Sequence, residues 1–253
     1  MRVAVIGKGA IAGYITTHIA ATPGVTLVSR VLRKPQQGAV TDVSDLPPVD
    51  LLIDCAGHEG LAAHGPKALS RGIDVLTLSL GALADDALAT ALTQAAEAGQ
   101  ATLHLASGAI GALDALRAAR VGGLTKVTYT GRKPPAGWRG SKAEEVLDLD
   151  TVTDAAIHFE GSARDAALQY PKNANVAAAV ALAGMGFDAT EVALIADPNA
   201  KGNTHEINAI GAFGQAQFTI TGNSLPDNPR SSALAAMSAV SALQQASACV
   251  RFL

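Results

Sequence analysis

The feature that most constrains this chain is a glycine turn near its start. The apolar run Val3-Ala4-Val5-Ile6 leads into Gly7-Lys8-Gly9-Ala10-Ile11-Ala12, and a helical pattern then continues to about Ala21. A short apolar run bounded by glycine reads as a strand buried on both faces, as in a parallel sheet. Strand, Gly-x-Gly-x-x-Ala and helix in this order make up a dinucleotide fingerprint. Gly7 permits the tight turn, Gly9 removes a side chain that would block a pyrophosphate, and Ala12 lets helix and strand approach. The helix start, with the amides of Ala10 and Ile11, then offers free N–H groups and a positive dipole end to phosphates. An ordinary tight turn between strand and helix is the competing reading of the same residues.

The next hundred residues decide the fold class. Residues 25–32, 49–55, 73–80 and 101–106 read as strands. Residues 59–70 read as a helix with Gly65-Pro66 as its weak point, and 85–98 as a helix stopped by Gly99. This alternation predicts an α/β fold built on a doubly wound parallel sheet. The rhythm changes after Ser107. A helix over 110–119 and a strand ending near Gly131 precede Arg132-Lys133-Pro134-Pro135-Ala136-Gly137-Trp138, which reads as a loop and a candidate lid because its prolines exclude helix and central strand. Two helical stretches meet at Tyr170-Pro171-Lys172-Asn173, and residues 191–196, 204–211 and 215–221 read as strands of a second sheet. A last helix over 231–249 is apolar enough to need burial. The expected organisation is a dinucleotide-binding domain over 1–107, completed by the C-terminal helix at 230–253, with a catalytic unit over 108–229.

Composition narrows the partners. The chain is 49% hydrophobic, yet no stretch reaches the ~18 uninterrupted apolar residues of a bilayer crossing, so a soluble protein is expected. Its 19 basic residues are scattered and the net charge is -3, which argues against a nucleic-acid or membrane partner. Cys55 and Cys249 form no redox or metal pair, and Met1-Arg2 leads straight into a strand, so reduced thiols and a cytoplasmic location are expected. No cluster of His, Cys and carboxylates has ligand spacing, and no metal is expected.

An NAD-selective site would place an acidic side chain at the end of the second strand for the ribose hydroxyls. Arg30, Arg33 and Lys34 stand there instead, and Arg33 could pair with a 2′-phosphate. NADP is therefore expected as a cofactor alongside NAD, against the alternative that these cations are simply solvated. Ser107-Gly108-Ala109-Ile110-Gly111 follows a strand and is expected to open a helix, so its amides could hold a carboxamide or a carboxylate, or merely cap. His58 follows the third strand, near the crevice where such sheets bind ligands, and is a candidate substrate contact. His18, His64, His104 and His158 receive no role.

These segments are joined by Phe159-Glu160-Gly161-Ser162-Ala163-Arg164, Tyr170-Pro171-Lys172-Asn173-Ala174-Asn175-Val176 and Asn203-Thr204-His205-Glu206-Ile207. Gly131-Arg132-Lys133-Pro134-Pro135, Ile195-Ala196-Asp197-Pro198, Gly211-Ala212-Phe213-Gly214 and Leu225-Pro226-Asp227-Asn228-Pro229 extend the set. Together they make the chain resemble the L-aspartate dehydrogenase family along essentially its whole length. The resemblance implies reversible oxidative deamination of L-aspartate through iminoaspartate to oxaloacetate and ammonia, using NAD or NADP, with a link to NAD biosynthesis. It implies His205 as the active-site residue and cofactor contacts at Ala109 and Asn175. The implied fold is a Rossmann domain plus a second α/β catalytic domain with a mixed sheet, forming a homodimer.

The chemistry suits these residues. Removing a hydride from an α-carbon and adding water to the resulting imine needs a group that moves protons near neutral pH, and a histidine does this. Glu206 should face away from His205 if the segment is a strand. Two substrate carboxylates need cationic contacts, for which Lys172 is the first choice and Arg164, Arg132 and Lys133 are the others. Asn173 and Asn175 fall at a helix start, where one could cap the helix and the other face the cofactor. A dehydrogenase or imine reductase for another small dicarboxylate, and a non-catalytic NAD(P)-binding sensor, are the alternative functions.

Overall fold

Val3, Ala4, Val5 and Ile6 are each at most 3% exposed, as a strand covered on both faces requires. In the computed structural model, which describes residues 1–226 and 228–250, they form most of β1 (Arg2–Ile6). Asp227 of the Leu225–Pro229 motif and residues 251–253 of the expected C-terminal helix lie outside the described residues. The chain divides into two units, one made of Met1–Gly108 with the segment from Ala235 onward, the other of Ala109–Leu234.

In the first unit α1 (Ala10–Ile19) follows the glycine turn, and β2 (Thr26–Val31), β3 (Ala39–Val40) and β4 (Leu51–Asp54) follow in order. Then come α2 (Gly57–Ser70), β5 (Asp74–Thr77), α3 (Asp86–Gly99) and β6 (Leu103–Leu105). The strands lie in the order β3-β2-β1-β4-β5-β6, all parallel, so strand order reverses between β1 and β4. This is the doubly wound Rossmann arrangement, with its ligand crevice at that switch point.

The break expected at Gly65-Pro66 does not occur: α2 runs through both residues. A proline inside a helix costs ~3 kcal/mol, but α2 buries Leu61, Gly65, Ala68 and Leu69 on one face. A Cβ at Gly65 would lie 2.8 Å from the Leu92 side chain of α3, so the glycine lets the two helices close on each other.

The second unit contains α4 (Leu113–Gly122), β7 (Leu124–Lys133), α5 (Ala143–Val146), β8 (Ala156–Ser162), α6 (Ala163–Gln169) and α7 (Asn175–Ala183). β9 (Glu191–Ala196), β10 (Asn203–Gly211), β11 (Gly214–Gly222), β12 (Ser224–Leu225) and β13 (Asn228–Ser232) follow. Its main sheet has the order β11-β10-β7-β9-β8; β7 and β9 are parallel and the remaining pairs antiparallel, so the sheet is mixed. α7 is alanine-rich and almost wholly buried, and it packs against β7, α4 and α6.

The second unit corrects several expectations. Arg132 and Lys133 belong to the central strand, because the prolines only end β7 and do not interrupt it. The segment after them is not an irregular loop: Pro135–Trp138 is a 3₁₀ turn and Trp138 is fully buried, its Nε1 donating to the Ile195 carbonyl at 3.0 Å. Gly108 and Ala109 form a turn, and the next helix begins only at Leu113. The strand β8 has no counterpart among the sequence expectations.

Among the described residues α8 (Ala233–Ser247) is the last regular element. Its Ala239, Val240 and Leu243 share the core of the first unit with Val3, Val5, Ile15 and Ile53.

Candidate active site

The switch-point crevice of the first unit is a cavity of about 740 Å³, whose lining includes Gly7, Gly9, Arg33, Cys55, Glu59 and His64. Gly7 adopts φ +106°, and a Cβ there would meet the Cys55 carbonyl at 3.2 Å, so the turn after β1 is pressed against the end of β4. Gly9 is different: a Cβ there would meet nothing within 4 Å. It is the N-cap of α1, no side chain caps that helix, and its first turn carries no acidic residue. The amides of Ala10 and Ile11 open α1 beyond Gly9. A turn with open space at Gly9 and an uncapped helix start fits a dinucleotide pyrophosphate.

Side chains fix this geometry. Arg30 donates through Nη2 to the Gly7 carbonyl at 2.8 Å. Asp54, fully buried, accepts from Thr77 Oγ1 at 2.8 Å, from Ser79 Oγ at 2.6 Å and from the Ala56 amide at 2.9 Å. Burial pushes its carboxyl upward and these hydrogen bonds oppose that shift. Arg33 pairs with Glu59 at 2.9 Å, both side chains exposed at the cavity. His58 sits half-buried in the first turn of α2 and is not among the lining residues. His64, which receives no role from the sequence, does line the cavity, with Nδ1 buried and unpartnered among the described residues.

The second unit gathers a different cluster. Side chains alternate along β7, so Tyr129, Gly131 and Lys133 share its buried face. His205 on β10 lies directly across from Gly131 and is 3% exposed. The Tyr129 hydroxyl meets His205 Nδ1 at 2.7 Å. Lys133 is also buried, and its Nζ donates to Asn173 Oδ1 at 2.9 Å while lying 4.8 Å from the Trp138 ring centroid. His158 packs edge-on against Trp138, with its Nδ1 3.3 Å from the Tyr170 hydroxyl. Glu206 lies on the other face and accepts from Asn208 Nδ2 at 2.8 Å.

Burial lowers the His205 pKa to about 4, and the nearby Lys133 ammonium adds to the effect. His158 falls to about 4 from the same two causes in the same order. Burial brings Lys133 down to about 8. The cluster therefore holds two neutral imidazoles beside a cation at neutral pH. Such a site can take up a proton and attract an anion.

Asn175 is the first residue of α7, but neither it nor Asn173 caps that helix; the N-cap is Ala174, with no side-chain bond. Ala109 is buried in the turn that starts the second unit. Lys172 is exposed on the turn between α6 and α7. Among the described residues no group of His, Cys, Asp and Glu could hold a metal ion, and no helix is long and apolar enough to cross a membrane.

Residues 114–246 match the family described as "Aspartate dehydrogenase, C-terminal", and residues 7–106 match "Homoserine dehydrogenase, NAD binding domain". An L-aspartate dehydrogenase of Ruegeria pomeroyi is 54% identical, covering 99% of this chain and 94% of its own. One from Cupriavidus necator is 52% identical over 83% of this chain and 78% of its own. A crystal structure of aspartate dehydrogenase from Thermotoga maritima has the same fold, with a TM-score of 0.78 at 24% identity, covering 100% of this chain and 99% of that one.

Proposed function

The chain belongs to the aspartate dehydrogenase family, and from that premise we propose how its residues divide the work of an NAD(P)-dependent L-aspartate dehydrogenase. The enzyme oxidatively deaminates L-aspartate through iminoaspartate to oxaloacetate and ammonia. The single observation that carries the assignment of roles is His205: a neutral imidazole, buried opposite a glycine, with Nδ1 engaged by Tyr129.

A bound nicotinamide dinucleotide supplies the hydride acceptor. Gly7 and Gly9 with the amides of Ala10 and Ile11 would hold its pyrophosphate, and Arg33 would pair with the 2′-phosphate of NADP. The family resemblance supports Ala109 and Asn175 as contacts further along the cofactor. In the second unit the Tyr129 hydroxyl engages Nδ1 of His205, and with the ring proton assigned to that nitrogen Nε2 is left as the base. Nε2 takes a proton as water adds to the iminium carbon and returns it to the nitrogen; the C–N bond then breaks as the carbinolamine hydroxyl gives its proton to Nε2, releasing ammonia and leaving the ketone of oxaloacetate. We extend the reading to a homodimer and a cytoplasmic location, which the same resemblance and the two free thiols of Cys55 and Cys249 support.

The test monitors reduced-nicotinamide absorbance with purified protein, L-aspartate and either NAD or NADP. Aspartate is turned over and L-glutamate is not, and His205→Ala loses roughly 10²–10⁴ in kcat with dinucleotide binding intact. A wild type that binds the cofactor but oxidises no aspartate overturns the assignment.

A further inference from the structure

Of the four cations offered for a dicarboxylate substrate, three are paired with the protein's own acids or exposed. Arg132 pairs with Asp197 at 2.8 Å, Arg164 pairs with Asp188 at 2.6 Å, and Lys172 lies on the surface. Lys133 is 8% exposed, and among the described residues no carboxylate pairs with it. Its stem is packed under the 3₁₀ turn, where a Cβ on Gly137 would fall 3.3 Å from the lysine Cβ. Among the described residues its ammonium donates to Asn173, and it lies by the Trp138 ring. An ammonium carries three donors, so two remain for another acceptor. A buried cation without a counter-ion is costly, and folds keep one where an anion is to be received.

We propose that Lys133 binds a carboxylate of the substrate as a buried ion pair, on the same sheet face as His205, and so selects for a dicarboxylic amino acid. The inference rests on the L-aspartate dehydrogenase reading and deepens it. Trp138 from the turn and Asn173 between α6 and α7 contact Lys133, and His205 from β10 and His158 from β8 feel its charge; none of these is acidic. Asp197, whose amide donates to the Lys133 carbonyl, has its carboxylate engaged by Arg132. A substrate carboxylate on Lys133 also removes one of the two causes that depress His205, so binding makes the imidazole a better base.

The experiment compares wild type, Lys133→Met and Lys133→Arg in steady-state assays with L-aspartate, and uses succinate, which has no amine, as a competitive inhibitor. Lys133→Met raises the aspartate KM about 100-fold with kcat changed only a few-fold, and Lys133→Arg recovers part of the loss. The melting temperature of Lys133→Met stays level or rises, because a buried charge has been removed. In wild type, succinate inhibition weakens as pH rises through about 8, where the lysine loses its proton, and this dependence is absent from Lys133→Met. An unchanged KM, or a loss confined to kcat, overturns the role of Lys133. If Lys133→Met fails to fold, wild-type succinate inhibition that is flat from about pH 7 to 10 overturns it instead. Wild type inactive on aspartate sinks the functional reading itself, which is a distinct outcome.

Discussion

The Tyr129 hydroxyl reaches Nδ1 of His205 at 2.7 Å, and the absence of a side chain at Gly131 leaves that hydroxyl its room. Tyr129 and Gly131 share the buried face of β7, and His205 stands across from the glycine on β10. A Cβ on Gly131 would fall 2.8 Å from that hydroxyl. The imidazole is thus oriented by a hydrogen bond whose existence depends on a missing side chain.

Tyr129→Phe keeps the ring and removes the hydroxyl, leaving Nδ1 buried without its partner. The loss is about 1–3 kcal/mol, read as a fall in kcat of roughly ten- to 100-fold with KM for aspartate unchanged. Unaltered kcat would reduce Tyr129 to a packing role.

Gly131→Ala is expected to displace the same hydroxyl and lower kcat to a similar degree. Because both changes act through one contact, the double variant Tyr129→Phe/Gly131→Ala is no slower than the worse single variant. Kinetics of the full cycle check this, and additive losses would show that the glycine serves something else.

Stability depends on acid in a stated direction. The folded pKa values of His205 and His158 are both about 4, below the ordinary 6.5. Between those values the unfolded chain binds protons that the folded chain refuses, so stability is fully present above about 6.5 and falls as pH drops toward 4. Melting temperatures measured from about pH 7.5 to 4.5 should decline, and less steeply in His158→Phe, which keeps an aromatic ring beside Trp138. An identical slope in that variant would remove His158 from the account.

Gly7 and Gly9 should fail differently. Gly7→Ala is strained at φ +106° and meets the Cys55 carbonyl, so it lowers folding stability by about 1–3 kcal/mol. Gly9→Ala meets no protein atom within 4 Å, so it melts like wild type and loses dinucleotide affinity. Calorimetric melting and cofactor titration separate the two, and full affinity in Gly9→Ala would place the pyrophosphate elsewhere.

Arg33→Ala tests cofactor choice. The exposed pair with Glu59 contributes little to folding, so the variant should melt normally while its KM for NADP rises about tenfold and that for NAD barely moves. Equal effects on both cofactors would remove Arg33 from the 2′-phosphate.

The first unit is legible in the sequence because phosphate binding leaves a local signature: Gly7, Gly9 and the uncapped helix start are contiguous. The second cluster has no such contiguity. Tyr129 and His205 are 76 positions apart and meet only through the register of β7 and β10. Lys133 ranks below Lys172 on sequence because Lys172 stands beside Asn173 and Asn175, and the prolines after Lys133 hide that Val127, Tyr129, Gly131 and Lys133 alternate in burial as one strand. Trp138 is hidden for the same reason; burial of its ring outweighs the turn-forming residues around it. The weak pattern of residues 156–162 gives no warning of β8, whose place depends on pairing with β9.

The helix α8 brings Ala239, Val240 and Leu243 into a core that also holds Val3, Val5 and Ile15. During synthesis, therefore, the nascent chain carries an apolar face of its nucleotide-binding half that α8 covers only once that helix has left the ribosome. The intervening unit, contiguous from Ala109 to Leu234, can complete its own sheet first. Loss of α8 would leave that apolar face bare and act as an aggregation lesion, although the helix lies at the opposite end of the sequence from the glycine turn.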